Sequence, residues 1–285
     1  MHRDGKSDLV DRYLERPPGT IEHIILVSID LNRAIDDFWA ARQPGGRYPL
    51  EYKATLTQAD AYRINLALLA RHAARGEPQA GWKVGLTAEV IRRQFGIPEP
   101  VFACLFKHGR WQSGGTWKLS SMRGPGFENE LCLILGERLQ GPGVTLEQAR
   151  RAVRSVAPAM EIIETRGPGS LDGMMPMIAD NGQQYAFVTG REVPFDAAIH
   201  DLGKTAVEVY VDGVFQERAF GSAVMESSPL ASIAWLANKL AEFGCTLEPG
   251  QAVMTGSFTK QYKLDRPMRV EARYVPFGSA IATFV

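Results

Sequence analysis

A chain of 285 residues, 45% apolar and 22% charged, has the composition of an ordinary folded protein, which excludes disordered and fibrous architectures. Its 32 basic and 32 acidic side chains cancel, so no net field draws it to nucleic acid or anionic lipid. No run approaches the roughly 18 apolar residues of a membrane span, and the charged start has no signal-peptide apolar region, so the expected compartment is the cytoplasm.

In chain order, residues 1–19 carry many charges and end in Pro17-Pro18-Gly19, which reads as a frayed extension. From Leu31 to Arg42, the residues Leu31, Ile35, Phe38 and Trp39 fall at helical spacing. Thr57 through Arg75 repeats the pattern, with Thr57 as its cap. Residues 1–80 therefore read as a mainly helical N-terminal region. From Gly81 onward short apolar runs alternate with glycine and proline, and 81–285 reads as a β-rich catalytic domain.

Within that domain a buried strand is expected from Glu130 (ELCLILGERL), a helix from Thr145 (TLEQARRAVRSV) and another strand from Ala159 (AMEIIETR). Residues 205–217 alternate around Asp212-Gly213, which predicts a hairpin. Ser228-Pro229 opens a helix whose stripe is Leu230, Ile233, Leu236, Ala237 and Leu240, ending near Gly244. Strands follow near 251–256, 267–274 and 279–285. The expected class is α+β.

Several catalytic machines are missing: there is no GxSxG, HExxH, GxxxxGK[ST] or GxGxxG. The five histidines form no cluster. Cys104, Cys132 and Cys245 are widely spaced without a CxxC, so they read as small apolar residues rather than disulfides or zinc ligands. Acidic residues are more informative. Glu128-Asn129-Glu130 opens an apolar strand, and the period of two puts both carboxylates on one face. Glu161 interrupts the apolar run PAMEII, where a lone carboxylate is costly to bury. A cation would offset that cost, and an all-oxygen donor set suits Mg²⁺ or Mn²⁺ rather than Zn²⁺. Lys83, between Trp82 and Val84, is placed to point into a pocket, either to pair with a substrate carboxylate or, with a lowered pKa, to transfer protons.

Seven segments carry a wider likeness: GWKVGLT (81–87), PGFENE (125–130), PAMEIIETR (158–166), ADN (179–181), PLASIAWLANKL (229–240), MTGSFT (254–259) and the FGSAIATFV ending. In their order and spacing the chain resembles the 2-hydroxypentadienoate hydratase and 4-oxalocrotonate decarboxylase group of the fumarylacetoacetate hydrolase superfamily. The resemblance implies a helical N-terminal part followed by a mixed β-sheet roll or sandwich. It implies Glu128, Glu130 and Glu161 as ligands of Mg²⁺ or Mn²⁺, Lys83 as the catalytic lysine, and Asn181, Ser257 and Thr259 near the substrate. The implied activity is a metal-dependent hydratase that adds water to a 2-hydroxy-2,4-dienoate or 2-oxo-enoate in aromatic-compound degradation. The implied assembly is a homo-oligomer, with or without a partner pathway enzyme.

Departures keep alternatives open. Hydratases of this group carry an acid where Val101 stands, whereas decarboxylases often carry an aliphatic residue there; GSFTK is nearer the hydratase pattern. Gly126 replaces a usual basic residue, Gln183 a small one, and Glu164 stands where relatives carry aspartate, with Arg166 as its expected partner. Decarboxylation of a 2-oxo-3-enedioate and a catalytically silent assembly partner are the alternatives.

Overall fold

The computed structural model describes residues 29–43, 45–167 and 173–285; the extension expected at 1–19 lies outside them. The described residues form six α-helices: α1 (Leu31–Ala41), α2 (Gln58–Ala74), α3 (Glu89–Phe95), α4 (Leu146–Ala152), α5 (Met174–Ala179) and α6 (Pro229–Ala241). Their starts follow capping chemistry. The Thr57 hydroxyl accepts the Asp60 amide at 3.1 Å, Thr145 and Gln148 form a reciprocal capping box, and the Ser228 hydroxyl accepts the Leu230 amide ahead of Pro229. Among the described residues no helix is long and apolar enough to cross a membrane.

The strands are β1 (Gln79–Gly85), β2 (Val101–Phe106), β3 (Arg110–Gln112), β4 (Gly115–Trp117), β5 (Pro125–Leu135), β6 (Val153–Glu164), β7 (Gln184–Thr189), β8 (Val193–Pro194), β9 (Ala206–Val211), β10 (Val214–Phe220), β11 (Ala252–Met254), β12 (Tyr262–Lys263), β13 (Met268–Val275) and β14 (Gly278–Phe284). A nine-stranded mixed sheet runs β2-β1-β11-β5-β6-β7-β3, with β12 on β5 and β8 on β6. A five-stranded sheet runs β10-β9-β13-β14-β4. β5 and β6 are buried almost throughout, and accordingly read as near-continuous apolar runs rather than alternating ones. The Tyr274 hydroxyl of β13 donates to the Ala159 carbonyl of β6 at 2.8 Å, tying the two sheets together.

Two expected boundaries are corrected. The strand placed from Glu130 begins five residues earlier, at Pro125, so both glutamates lie inside it rather than at its mouth. The helix placed over TLEQARRAVRSV stops at Ala152, and Val153 starts β6. Val153 and Val156 are β-branched and gain a full antiparallel ladder with β5 by extending the strand. The hairpin at Asp212-Gly213 and the helix from Pro229 stand where expected.

The topology creates the site by ending one strand early. β11 pairs with β1 on one side and β5 on the other, and stops at Met254, opposite Lys83 and Cys132. Beyond that point β1 runs on to Gly85, and β5 is unpaired on this edge until β12 joins it at Phe127 and Gly126. The chain from Thr255 to Gln261 turns through the gap. Ser232 of α6 holds this turn by donating to the Thr255 carbonyl at 2.7 Å.

Candidate metal centre and substrate pocket

Glu128 and Glu130 lie two residues apart on β5, and Glu128 pairs in register with Glu161 on β6. The three side chains therefore share one face of the sheet. One oxygen from each lies within 4.8 Å of the others, with no histidine or cysteine in the cluster. Glu130 and Glu161 are buried, and Glu128 is half-buried. Glu130 Oε2 accepts the Gly256 amide at 2.8 Å. Neither carboxylate oxygen of Glu161 has a hydrogen-bond partner. Lys83 Nζ stands 3.3 Å from Glu161 Oε1, an ion pair without hydrogen-bond geometry.

Burial raises all three carboxyls above the ordinary value. Glu130 is pushed well above it by burial and by the two neighbouring carboxylates. Glu161 is pushed up to about 7 by burial, against the pull of the Lys83 ammonium. Glu128 moves upward for the same reason, again opposed by Lys83. At Lys83 burial acts downward, but the combined field of Glu161, Glu128 and Glu130 outweighs it and holds the ammonium above the usual lysine value. The lowered lysine pKa considered from sequence is thus not what this cluster produces.

One ammonium among three carboxylates leaves an excess of buried negative charge. Both Glu161 oxygens lack a hydrogen-bond partner, and only Oε1 has the Lys83 ammonium nearby. Both features fit a hard divalent cation, which would take oxygen donors and leave room for water or substrate oxygens.

Above the cluster opens a cavity of ≈640 Å³ whose wall includes Lys83, Val101, Glu128, Gln183, Ser257 and Thr259. Ser257 and Thr259 are held by their own turn: Ser257 Oγ donates to the Thr259 carbonyl at 2.9 Å, and Thr259 Oγ1 accepts from Asn129 Nδ2 at 2.9 Å. Asn129, between the two glutamates but on the opposite face, also accepts the Phe258 amide on its carbonyl at 2.8 Å. It anchors the turn to the metal-site strand, and sequence reasoning passed over it.

Asn181, expected near the substrate, is buried, with its Oδ1 accepting the Cys104 amide at 2.7 Å and its Nδ2 donating to the Cys104 carbonyl at 2.9 Å. Its amide thus mimics a neighbouring strand for β2. The wall itself comes from the next two residues, Gly182 and Gln183. Gly182 has φ +59, and a Cβ there would lie 2.9 Å from Lys83 Cε, so only glycine lets the lysine lie across this turn. Gly256 is similar: φ is +106, and a Cβ would meet the Thr87 side chain at 2.5 Å.

Glu164 and Arg166 pair as expected, at 2.9 Å, within a wider buried network. Arg166 Nε lies 2.7 Å from Asp180 Oδ2, and Arg42 Nη1 lies 3.0 Å from Asp180 Oδ1. This network fixes the turn carrying Gly182 from behind. Cys104 and Cys132 are buried and unpaired, and Cys245 is half-buried and unpaired.

A two-sheet α+β fold with a carboxylate cluster at a gap in the larger sheet defines a class of acid-binding metal-site protein. Residues 110–285 match the model for the C-terminal domain of fumarylacetoacetate (FAA) hydrolase, and the chain belongs to that family. It is 32% identical to a 2-hydroxyhexa-2,4-dienoate hydratase of Comamonas testosteroni over 204 residues, covering 71% of this chain and 76% of the relative. It is 30% identical to a 4-oxalocrotonate decarboxylase of Pseudomonas sp. (strain CF600), covering 81% of this chain and 86% of the relative. The structure of the 4-oxalocrotonate decarboxylase from Pseudomonas putida G7, complexed with magnesium and adipate, superposes with a TM-score of 0.81. The identity there is 29%, covering 90% of this chain and 96% of that one.

Proposed function

We propose that this protein is a metal-dependent hydratase acting on a small 2-hydroxy-2,4-dienoate or its 2-oxo-enoate tautomer, in the breakdown of aromatic compounds. The observation that carries the reading is the Glu128-Glu130-Glu161 cluster, with Lys83 beside Glu161, at a cavity that Lys83 and Glu128 help to line. Relatives named as dienoate hydratases support it. On this reading the three glutamates hold Mg²⁺ or Mn²⁺; that the similar decarboxylase structure is complexed with magnesium supports the choice of cation. Residues 81–285 form the catalytic part, and the described residues before them a helical preface in which α2 packs against α5. The enzyme is cytoplasmic and works as a homo-oligomer.

When bound, the cation supplies Lewis acidity and a template for the carboxylate and its adjacent oxygen. The chain's own residues do the rest. Lys83, held charged by its carboxylate neighbours, contributes a cation for the substrate carboxylate and a proton carrier beside it. Ser257 and Thr259 also line the pocket, with their hydroxyls donating to the Thr259 and Lys260 carbonyls. Ketonisation moves the enol proton to C5, and water then adds across C3 and C4, with hydroxyl at C4.

Decarboxylation of a 2-oxo-3-enedioate is the second reading, favoured by Val101. A Cβ built on Gly85 would lie 3.4 Å from both Val101 Cγ2 and Lys83 Nζ, so both side chains pack about Gly85 in the cavity wall, and the one at 101 is aliphatic. The test is turnover of both substrate types with Mg²⁺, on wild type and Val101→Asp. Hydration by wild type supports the main reading, decarboxylation alone the second, and no turnover of either supports a silent assembly partner.

A further inference from the structure

At the end of β6 successive residues alternate between two cavities. Ile163 and Thr165 line the one above the glutamates, whereas Glu164 and Arg166 line a separate cavity of ≈370 Å³. Three more arginines belong to this second wall: Arg42 at the end of α1, Arg75 at the end of α2, and Arg123 just ahead of β5. Four guanidiniums around so small a space need compensation, and the neighbouring carboxylates supply it unevenly.

Arg166 is fully engaged. Its Nε donates to Asp180 Oδ2 at 2.7 Å, its Nη1 to Glu164 Oε2 at 2.9 Å and its Nη2 to the Asp180 carbonyl at 3.1 Å. Arg42 shares Asp180 through Nη1, at 3.0 Å. Burial and the adjacent Arg166 guanidinium hold Arg42 below the ordinary arginine value despite that pairing. Arg123 reaches the Ala41 carbonyl only at 3.4 and 3.5 Å and that of Arg42 at 3.5 Å. Arg75 lies over the Trp39 ring, 5.1 Å from its centre. Among the described residues no carboxylate stands within ion-pair distance of Arg75 or Arg123. Glu77, the other acid of the wall, is taken by His72 Nδ1. Four guanidiniums therefore meet three carboxylates, Glu77, Glu164 and Asp180, and the surplus is positive.

Guanidinium groups carry five N–H donors in a planar fork that matches the oxygens of a carboxylate or phosphate. The volume lies within the roughly 300–1,000 Å³ of small-ligand sites. We propose that this second cavity binds a small oxyanion, a carboxylate or a phosphate, through Arg42, Arg75 and Arg123, without a metal. The site is distinct from the glutamate cluster and does not depend on the proposed function.

The test is calorimetric titration of inorganic phosphate and, separately, of succinate into the metal-free full chain at constant ionic strength. Wild type should bind at least one of them saturably, and the one bound more tightly identifies the kind of oxyanion. Arg75→Gln, at an exposed helix end, and Arg123→Gln should each weaken that binding at least fivefold, with melting temperatures confirming that both variants fold. Lys260→Gln, which removes an exposed cation from the wall of the first cavity, should leave it within twofold. No saturable binding of either anion by wild type overturns the proposal. So does binding that both folded arginine variants retain within twofold, or binding that Lys260→Gln abolishes, which would place the anion in the first cavity. Because no divalent cation is present, each of these outcomes leaves the metal-site reading untouched.

Discussion

Lone carboxylates avoid protein interiors, so three of them clustered with two unpaired oxygens mark a site by their cost alone. Replacing Glu161 by glutamine removes one negative charge from the cluster without changing its shape. The metal-free protein should melt at a higher temperature, because like charges no longer repel, while Mg²⁺ affinity falls by more than the roughly 10–100-fold typical of losing an outer partner. Thermal melts with and without Mg²⁺ check both halves. Lys83→Met keeps the length of the side chain and removes the ammonium. Turnover should fall by about 10²–10⁴-fold with the circular dichroism spectrum unchanged. Glu161 and Lys83 stood out in the sequence because each is a charged residue inside an apolar run, and Glu128 and Glu130 because they form an alternating acidic pair at an apolar strand. Asn129 and Gly256 were not, since an asparagine in a strand and a glycine in a turn are ordinary until the contacts they make are known.

At the scale of elements, the site depends on β11 being short. Its end at Met254 lets the Thr255–Gln261 turn enter between β1 and β5, where Asn129 and Ser232 fasten it. The hairpin, the capped helices and the apolar strands were legible from local chemistry. Where α4 gives way to β6 was not, because Ala149, Ala152, Val153 and Val156 fit a helical stripe as well as they fit a strand, and the pairing with β5 that decides the matter is non-local. Asn181 meets the same limit: asparagine in a turn suits both a substrate contact and a backbone clamp. Its structural role makes a prediction. Asn181→Ala leaves the buried Cys104 amide and carbonyl without their partner and should lower unfolding free energy by about 2 kcal/mol or more. Urea denaturation measures this; a variant of unchanged stability with weaker substrate binding would instead return Asn181 to the substrate.

Across the whole molecule the cluster couples folding, pH and metal. A carboxyl with a raised folded pKa holds its proton more tightly folded than unfolded, so the folded state carries more protons between the ordinary value of 4.5 and about 7 at Glu161. Metal-free stability should therefore fall as pH rises through that window. A divalent cation replaces the protons, so its stabilising effect should grow over the same range and reach several degrees in melting temperature at pH 8. A metal-free protein that gains stability from pH 5 to pH 8 would contradict the assignment of these carboxyls.

The most direct test of the metal-centred account is calorimetric titration of Mg²⁺, with oxalate as a chelating mimic of the 2-oxo carboxylate, into wild type and Glu130→Gln. The account predicts that wild type binds oxalate only when Mg²⁺ is present and that the variant loses this dependence. Wild type that binds no Mg²⁺, or a variant that binds metal and oxalate as wild type does, would contradict it.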